Sequence, residues 1–210
     1  MQPCETPVAG VRQGIAVSLR SAVPEDLPAL QELVSRAVLE NAARDYPHQL
    51  LDEALGGPLA VEMELIRDGT YFVAMAGEGE DARIAGAGGW SRRAPAHAWI
   101  HLSGEHEAEP RADDAPAKDG NGQARPPNAS ATIRAFYVDP VFARRGVGAL
   151  LLSRCLAEVC AAGFRRAELV ATLTGEKLYE RAGFRTVAKL NAILPSGSAF
   201  PVVRMVRDFK

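Results

Sequence analysis

Apolar and polar residues alternate through "IAVSLR", Ile15 to Arg20, which predicts a strand with one buried face. The period then lengthens. In "SAVPEDLPALQELVSRAVLENAA" Leu27, Leu30, Val34 and Val38 share one side of a helix. Pro24 suits its first position, and Glu25 and Asp26 sit at the positive end of its dipole. From Tyr46 to Arg67 the pattern is mixed and interrupted by "GGP" at 56–58, predicting two short helical pieces. "TYFVAMA" (Thr70 to Ala76) and "RIAGAGGWSRR" (Arg83 to Arg93) read as a strand and its return, joined by a turn at Glu78 to Ala82. The glycines of the second strand imply close approach of another backbone or a ligand.

The C-terminal third repeats the alternation of elements. "ATIRAFYV" (Ala131 to Val138) predicts a strand, and Arg144 to Ala162 a helix with an apolar stripe of Val147, Leu151, Leu152, Cys155, Leu156 and Val159. A strand at Arg166 to Thr172, a short helix at Gly175 to Ala182 and strands at Phe184 to Leu190 and Phe200 to Phe209 follow. Both helices end in "AGF". Gly163 and Gly183 are placed to take the left-handed position that stops a helix, sending Phe164 and Phe184 into the core. The sum is one α/β sheet of mixed strand direction flanked by helices. A flexible N-terminus at 1–14 precedes a single domain at 15–210.

Residues 94–130 break this order. They are rich in Ala, Pro, Gly, Asp and Glu, lack sustained periodicity, and are expected to form a low-complexity loop insertion before the fourth strand. His97, His101 and His106 lie there. No cysteine or supporting pattern accompanies them, so they read as solvated loop histidines and no metal is expected.

Composition narrows the function classes. The 210 residues are 47% hydrophobic, enough for a core, and the net charge of −2 gives no basic footprint for nucleic acid. No apolar run approaches the roughly 20 residues that span a bilayer. Three cysteines (Cys4, Cys155, Cys160) without disulfide-like spacing argue for a reducing compartment, and the N-terminus has no signal-peptide pattern, so a cytoplasmic protein is expected.

The candidate chemistry sits in "FYVDPVFARRGVGALLL", Phe136 to Leu152. Gly146 and Gly148 open a helix, whose first amides and dipole attract an anion. Arg144 and Arg145 add charge beside them. A P-loop requires a lysine where Ala149 and Leu150 stand. A dinucleotide fingerprint requires a third glycine where Leu151 stands, and a strand ending closer to Gly146. A glycine-rich turn without a ligand remains as the alternative.

With "GEKLYERAGF" downstream, this stretch resembles the GCN5-related N-acetyltransferases (GNAT), and "GGWSRR" and "FPVVRM" resemble a bacterial branch whose acceptors are mostly unassigned. The resemblance runs from Ile15 to about Phe209, apart from 94–130. It implies the GNAT fold, acetyl-CoA as co-substrate, and transfer of the acetyl group to a primary amine of a small molecule or peptide by direct attack in a ternary complex. Main-chain groups of Phe136 and Val138 would pair with the pantetheine arm. The amides of Arg144, Arg145, Gly146, Val147, Gly148 and Ala149 would hold the pyrophosphate. Thr172 stands where the family often has an asparagine for the arm, and Ala143 where its signature has Arg or Gln, leaving Arg144 or Arg145 to cover. Tyr179 is the implied general acid for the departing thiolate. Tyr46, Trp90, Ser91 and Arg92 are candidate acceptor contacts. Asp45, His97, His101 and Glu105 are weighed as bases and read as surface groups. Cys155, on an apolar stripe, is not a nucleophile, and Cys160 is not read as one either. The expected partner is the amine alone, with no nucleic acid or membrane, and a homodimer by final-strand exchange or edge pairing is compatible. The competing reading is a non-catalytic acyl-CoA-binding module.

Overall fold

The computed structural model describes residues 16–57, 59, 61–77, 79, 82–92, 102–103 and 130–209. The expectations for 1–14, for most of 94–130, and for His97, His101, Glu105 and His106 lie outside them. Eight strands form one sheet: β1 (Val17–Ser21), β2 (Tyr71–Ala76), β3 (Arg83–Ser91), β4 (Leu102–Ser103), β5 (Ala131–Val138), β6 (Arg166–Thr172), β7 (Arg185–Ile193) and β8 (Ala199–Asp208). Their order is β1-β2-β3-β5-β6-β8-β7-β4. β5 and β6 pair parallel, and the other neighbours pair antiparallel. The sheet is mixed, as the pattern predicted. One expectation is corrected. Within 94–130 lies β4, which pairs with β7, so the predicted fourth strand is the fifth. Two residues are too few to show a period in sequence.

Helices cover both faces. α1 (Leu27–Arg36), α2 (His48–Leu55) and α3 (Met63–Arg67) pack on one side, burying Leu30, Leu33, Val34, Leu51 and Leu65 with Tyr71, Val73 and Tyr137 of the sheet. α4 (Val147–Ala161) and α5 (Glu176–Arg181) cover the other, with Leu151, Leu152, Cys155, Leu156 and Tyr179 packed against Phe72, Ile133, Leu169 and Met205. The stripe predicted for α4 is the buried one.

Local chemistry fixes the ends. Pro24 opens a short 3₁₀ turn before α1, and the Asp26 carboxylate accepts from the Val23 amide at 2.9 Å. α1 runs on into a π-helical turn at Ala37–Asn41, which the apolar period did not predict. Gly163 (φ 79°) and Gly183 (φ 84°) take the left-handed stop, and the amides of Phe164 and Phe184 reach back to the carbonyls of Val159 (3.2 Å) and Tyr179 (3.0 Å). Both phenylalanines are buried, as expected.

Candidate functional site

β5 and β6 begin side by side and then part. They pair only at Ala131↔Ala167 and Thr132↔Glu168. Opposite β3, the register slips between Ala87 and Gly89, so that Ala135 and Phe136 of β5 face the single residue Gly88. This is a β-bulge, with Ala135 in the left-handed region at φ 56°. A bulge bends its strand, and here it turns β5 away from β6. The gap is part of a cleft of about 2140 Å³, lined by Arg134 to Val138, by 143, 144, 146, 148 and 149, by 170–175, and by Leu178 and Tyr179.

At the wide end of the gap lies the N-terminus of α4. Gly146 has φ 96°, a conformation glycine adopts without strain. It turns the chain into the start of a 15-residue helix, and residues 146, 148 and 149 at that start border the cleft. Gly148 serves a different need. A Cβ there would lie 3.2 Å from Cδ2 of Leu178 and 3.5 Å from Cγ2 of Val138, so its absence lets α5 pack against the start of α4. Arg144 lines the cleft, as does Ala143. Arg145 is not among the lining residues, and Val147 is in the core with only its backbone near the turn.

Phe136 and Val138 also line the cleft. The Val138 carbonyl accepts a hydrogen bond from Asn41 Nδ2 at 2.8 Å, leaving its second lone pair. Arg36 reaches the same corner and bonds Asp139 at 2.8 Å, while Asp139 caps the Val141 amide at 2.9 Å. The end of α1 is therefore tied to the strand that carries the site. Neither Asn41 nor Arg36 stands out in the sequence, because each is about 100 residues from its partner. Thr172 Oγ1 accepts from the Gly175 amide at 3.3 Å, which starts α5 and leaves the hydroxyl proton to donate elsewhere.

Tyr179 projects from α5 into this cleft, its ring edge-on to Phe136 (6.1 Å between centroids) and Phe184 (5.9 Å). Among the described residues its hydroxyl has no hydrogen-bond partner. Burial, reinforced by Cys155, holds the phenol proton well above the ordinary tyrosine range. Cys155 is buried in the α4 core with its thiol pushed up by burial, which makes it inert. Among the described residues no cluster of metal-ligating side chains occurs, and no helix is long and apolar enough to cross a membrane.

The candidate acceptor contacts fall elsewhere. Tyr46 is buried, stacks on Phe200 at 4.2 Å, donates to the Pro201 carbonyl (2.6 Å) and accepts from the Leu173 amide (2.7 Å). Burial pushes its phenol up to about 12. With both hydrogen-bonding functions engaged, it ties the end of β6 to β8. Tyr46→Phe is expected to cost about 2 kcal/mol, because two backbone groups lose their partner. The melting temperature should fall by about 6 °C for a chain of this size, which a thermal melt reads directly. Trp90 and Ser91 are buried, Trp90 Nε1 donates to Glu158 of α4 at 3.2 Å, and Arg92 stacks over the Trp90 ring at 5.3 Å. The register explains this. Gly86 faces Val138 at the open end of the gap, whereas Trp90 and Ser91 face Ile133 and Thr132 where β5 and β6 are still close. None of the four lines the cleft. Asp45 does, and its carboxylate accepts from Thr174 Oγ1 at 2.6 Å.

Residues 111–186 match the family model of the acetyltransferase (GNAT) domain. The whole chain is similar to solved GNAT structures. A GCN5-related N-acetyltransferase from Rhodopseudomonas palustris superposes with a TM-score of 0.62 at 14% identity, over 94% of this chain and 99% of that one. The chain has the GNAT fold. An N-acetyltransferase from Staphylococcus aureus Mu50 gives 0.56 at 18% identity, over 93% and 99%. The PaiA N-acetyltransferase of Thermoplasma acidophilum, solved in complex with coenzyme A, gives 0.58 at 13% identity, over 92% and 99%. No curated protein sequence matches this chain. The parted strands, the bulge and the helix N-terminus thus belong to a GNAT-fold sheet.

Proposed function

We propose that this chain is an acetyl-CoA-dependent N-acetyltransferase that moves the acetyl group to a primary amine of a small molecule or peptide by direct attack in a ternary complex. One observation carries this: the gap between β5 and β6 runs from the α4 N-terminus at Gly146 to the ring of Tyr179. The gap suits the cofactor. Its open β5 edge offers main-chain groups of Phe136 and Val138 to an amide-bearing arm, as an added strand would. The amides from Arg144 to Ala149 suit a pyrophosphate, with the Arg144 side chain beside it. When bound, acetyl-CoA supplies an acyl group activated as a thioester. Tyr179, which lines the same gap, would give its proton to the sulfur that leaves, and buried Cys155 takes no part.

Calorimetry with acetyl-CoA, followed by thiol release over a panel of lysine, 1,4-diaminobutane, tyramine and short peptides, tests the reading. Micromolar binding and turnover of at least one amine are expected. Binding without turnover would favour a non-catalytic acyl-CoA module, and no binding would end both readings.

A further inference from the structure

The connection between α2 and α3 is bound to the bulge from the face opposite Tyr179. Resting on the acetyltransferase reading above, we propose that the Glu62 carboxylate takes the proton from the amine that attacks. Three side-chain hydrogen bonds surround the bulge. Tyr71 donates to the Ala135 carbonyl (3.1 Å), Arg134 Nε to Glu62 Oε1 (2.7 Å), and Tyr137 to the Leu59 carbonyl (2.9 Å). The last two hold Glu62 and Leu59 against β5. Arg134 Nη2 makes a second, closer contact with Glu62 Oε2, so the pair is bidentate. Both side chains line the cleft, and Glu62 is the more exposed of the two, at 24% against 13% for Arg134.

The bulge sorts the two faces. Before it, Ala131 and Ile133 belong to the α4–α5 side; after it, Phe136 and Val138 do. Ala135 and Tyr137 pack on the α1–α3 side. Tyr179 therefore meets Phe136 from one face, and Glu62 meets Arg134 from the other. An acyl chain laid along the open edge of β5 would meet Tyr179 on one face and Glu62 on the other, both of which line the cleft.

The proton balance follows. An acceptor arrives mostly as an ammonium, because amines titrate near pH 10. Glu62 takes one proton and frees the nitrogen lone pair. The N–C bond forms, the C–S bond breaks, Tyr179 gives its proton to the sulfur, and the remaining amine proton restores Tyr179 through water. Glu62 then passes its proton to solvent. The groups facing Glu62 are Arg134 of β5, Glu64 of α3, and the phenols of Tyr71 and Tyr137. Burial lifts Glu62 above the usual carboxylate range, Arg134 opposes it, and Glu64 adds to it. Arg134 occupies two of about four lone-pair positions on the carboxylate, leaving others for an N–H.

The test is the pH dependence of kcat/KM for the amine that the wild type acetylates best. Glu62→Gln keeps the shape and a hydrogen bond to Arg134. It is expected to lower kcat/KM about 100-fold or more at pH 7, with acetyl-CoA affinity unchanged by calorimetry. The gap should narrow toward pH 10, where the amine deprotonates unaided. Glu62→Asp keeps the charge beside Arg134, so it should fold and retain the wild-type pH slope at a lower rate. An unchanged rate in Glu62→Gln, or a deficit of the same size at every pH, would overturn the assignment. A wild type that binds acetyl-CoA but acetylates no amine would instead overturn the reading on which it rests, and the assignment with it.

Discussion

Tyr179→Phe is expected to lower kcat by about 100-fold or more while leaving the acetyl-CoA Kd within about twofold, because a positioned proton donor contributes on that scale. Phenylalanine keeps the ring that meets Phe136 and Phe184 edge-on, so the cleft wall and the fold should persist. Only the hydroxyl is lost, and among the described residues that hydroxyl bonds to nothing else. The effect therefore separates a proton donor from a packing aromatic. Burial keeps the phenol protonated throughout any ordinary assay range, so Tyr179 should contribute no falling limb to the pH profile below pH 10. A thiolate leaving into the same buried surroundings is also destabilised as an anion, which preserves the driving force for the transfer. Turnover by Tyr179→Phe at the wild-type rate would remove the tyrosine from the reaction. Loss of acetyl-CoA affinity along with kcat would reassign it to binding.

The glycine turn and the helix ends around the candidate site were legible in the sequence because their signals are local. The turn at Gly146, the two left-handed stops at Gly163 and Gly183, and Tyr179 four residues before a glycine all lie within 40 residues of one another, whereas the packing need at Gly148 shows only in the fold. Gly146, Gly163 and Gly183 share a positive φ that a residue with a Cβ adopts only with strain. The acceptor side has no such economy. Tyr46 and Trp90 attracted notice as aromatics near element ends, yet each is buried with its polar atom bonded across the fold, to Pro201 and Glu158. An aromatic with a polar tip is as useful for joining elements as for lining a pocket, and sequence does not separate the two uses. Glu62 and Arg134 went unnoticed for the converse reason. They are ordinary charged residues 72 positions apart, and the bulge that brings them together is a register slip, which alternation along one strand does not reveal.

The π-helical turn at Ala37–Asn41 was missed on similar grounds. An extra residue in the turn changes the phase of the helix without changing its apolar content. Its consequence is positional: Asn41 lies at the Val138 carbonyl and Arg36 at Asp139, on the β5 end nearest the glycine turn.

The glycines of β3 lead to the second large effect, which differs between adjacent positions. Gly89→Ala is expected to cost about 3 kcal/mol, at the upper end of what overpacking exacts, and to lower the melting temperature by about 10 °C. A Cβ there would lie 2.8 Å from the Thr70 carbonyl and 2.7 Å from the Tyr71 ring. The carbonyl is backbone and cannot turn aside, and Tyr71 is fully buried. Against a total stability of roughly 5 to 15 kcal/mol, that is a serious loss. Gly88→Ala meets a different obstacle. Its Cβ would lie 2.7 Å from Cε2 and Cζ of Phe136, the outer atoms of a side chain that borders the cleft. That ring has somewhere to go, and it goes into the space where the acyl arm is proposed to lie, beside Tyr179. Gly88→Ala should therefore melt within a few degrees of the wild type yet lose at least about tenfold in kcat/KM, since displacing a positioned group by a fraction of an ångström is enough. Thermal melts and thiol release on the two variants give a crossed result if the bulge positions the chemistry. A Gly88→Ala protein with normal kinetics would mean that the ring of Phe136 is free to move without consequence, and that the bulge shapes the strand but not the reaction.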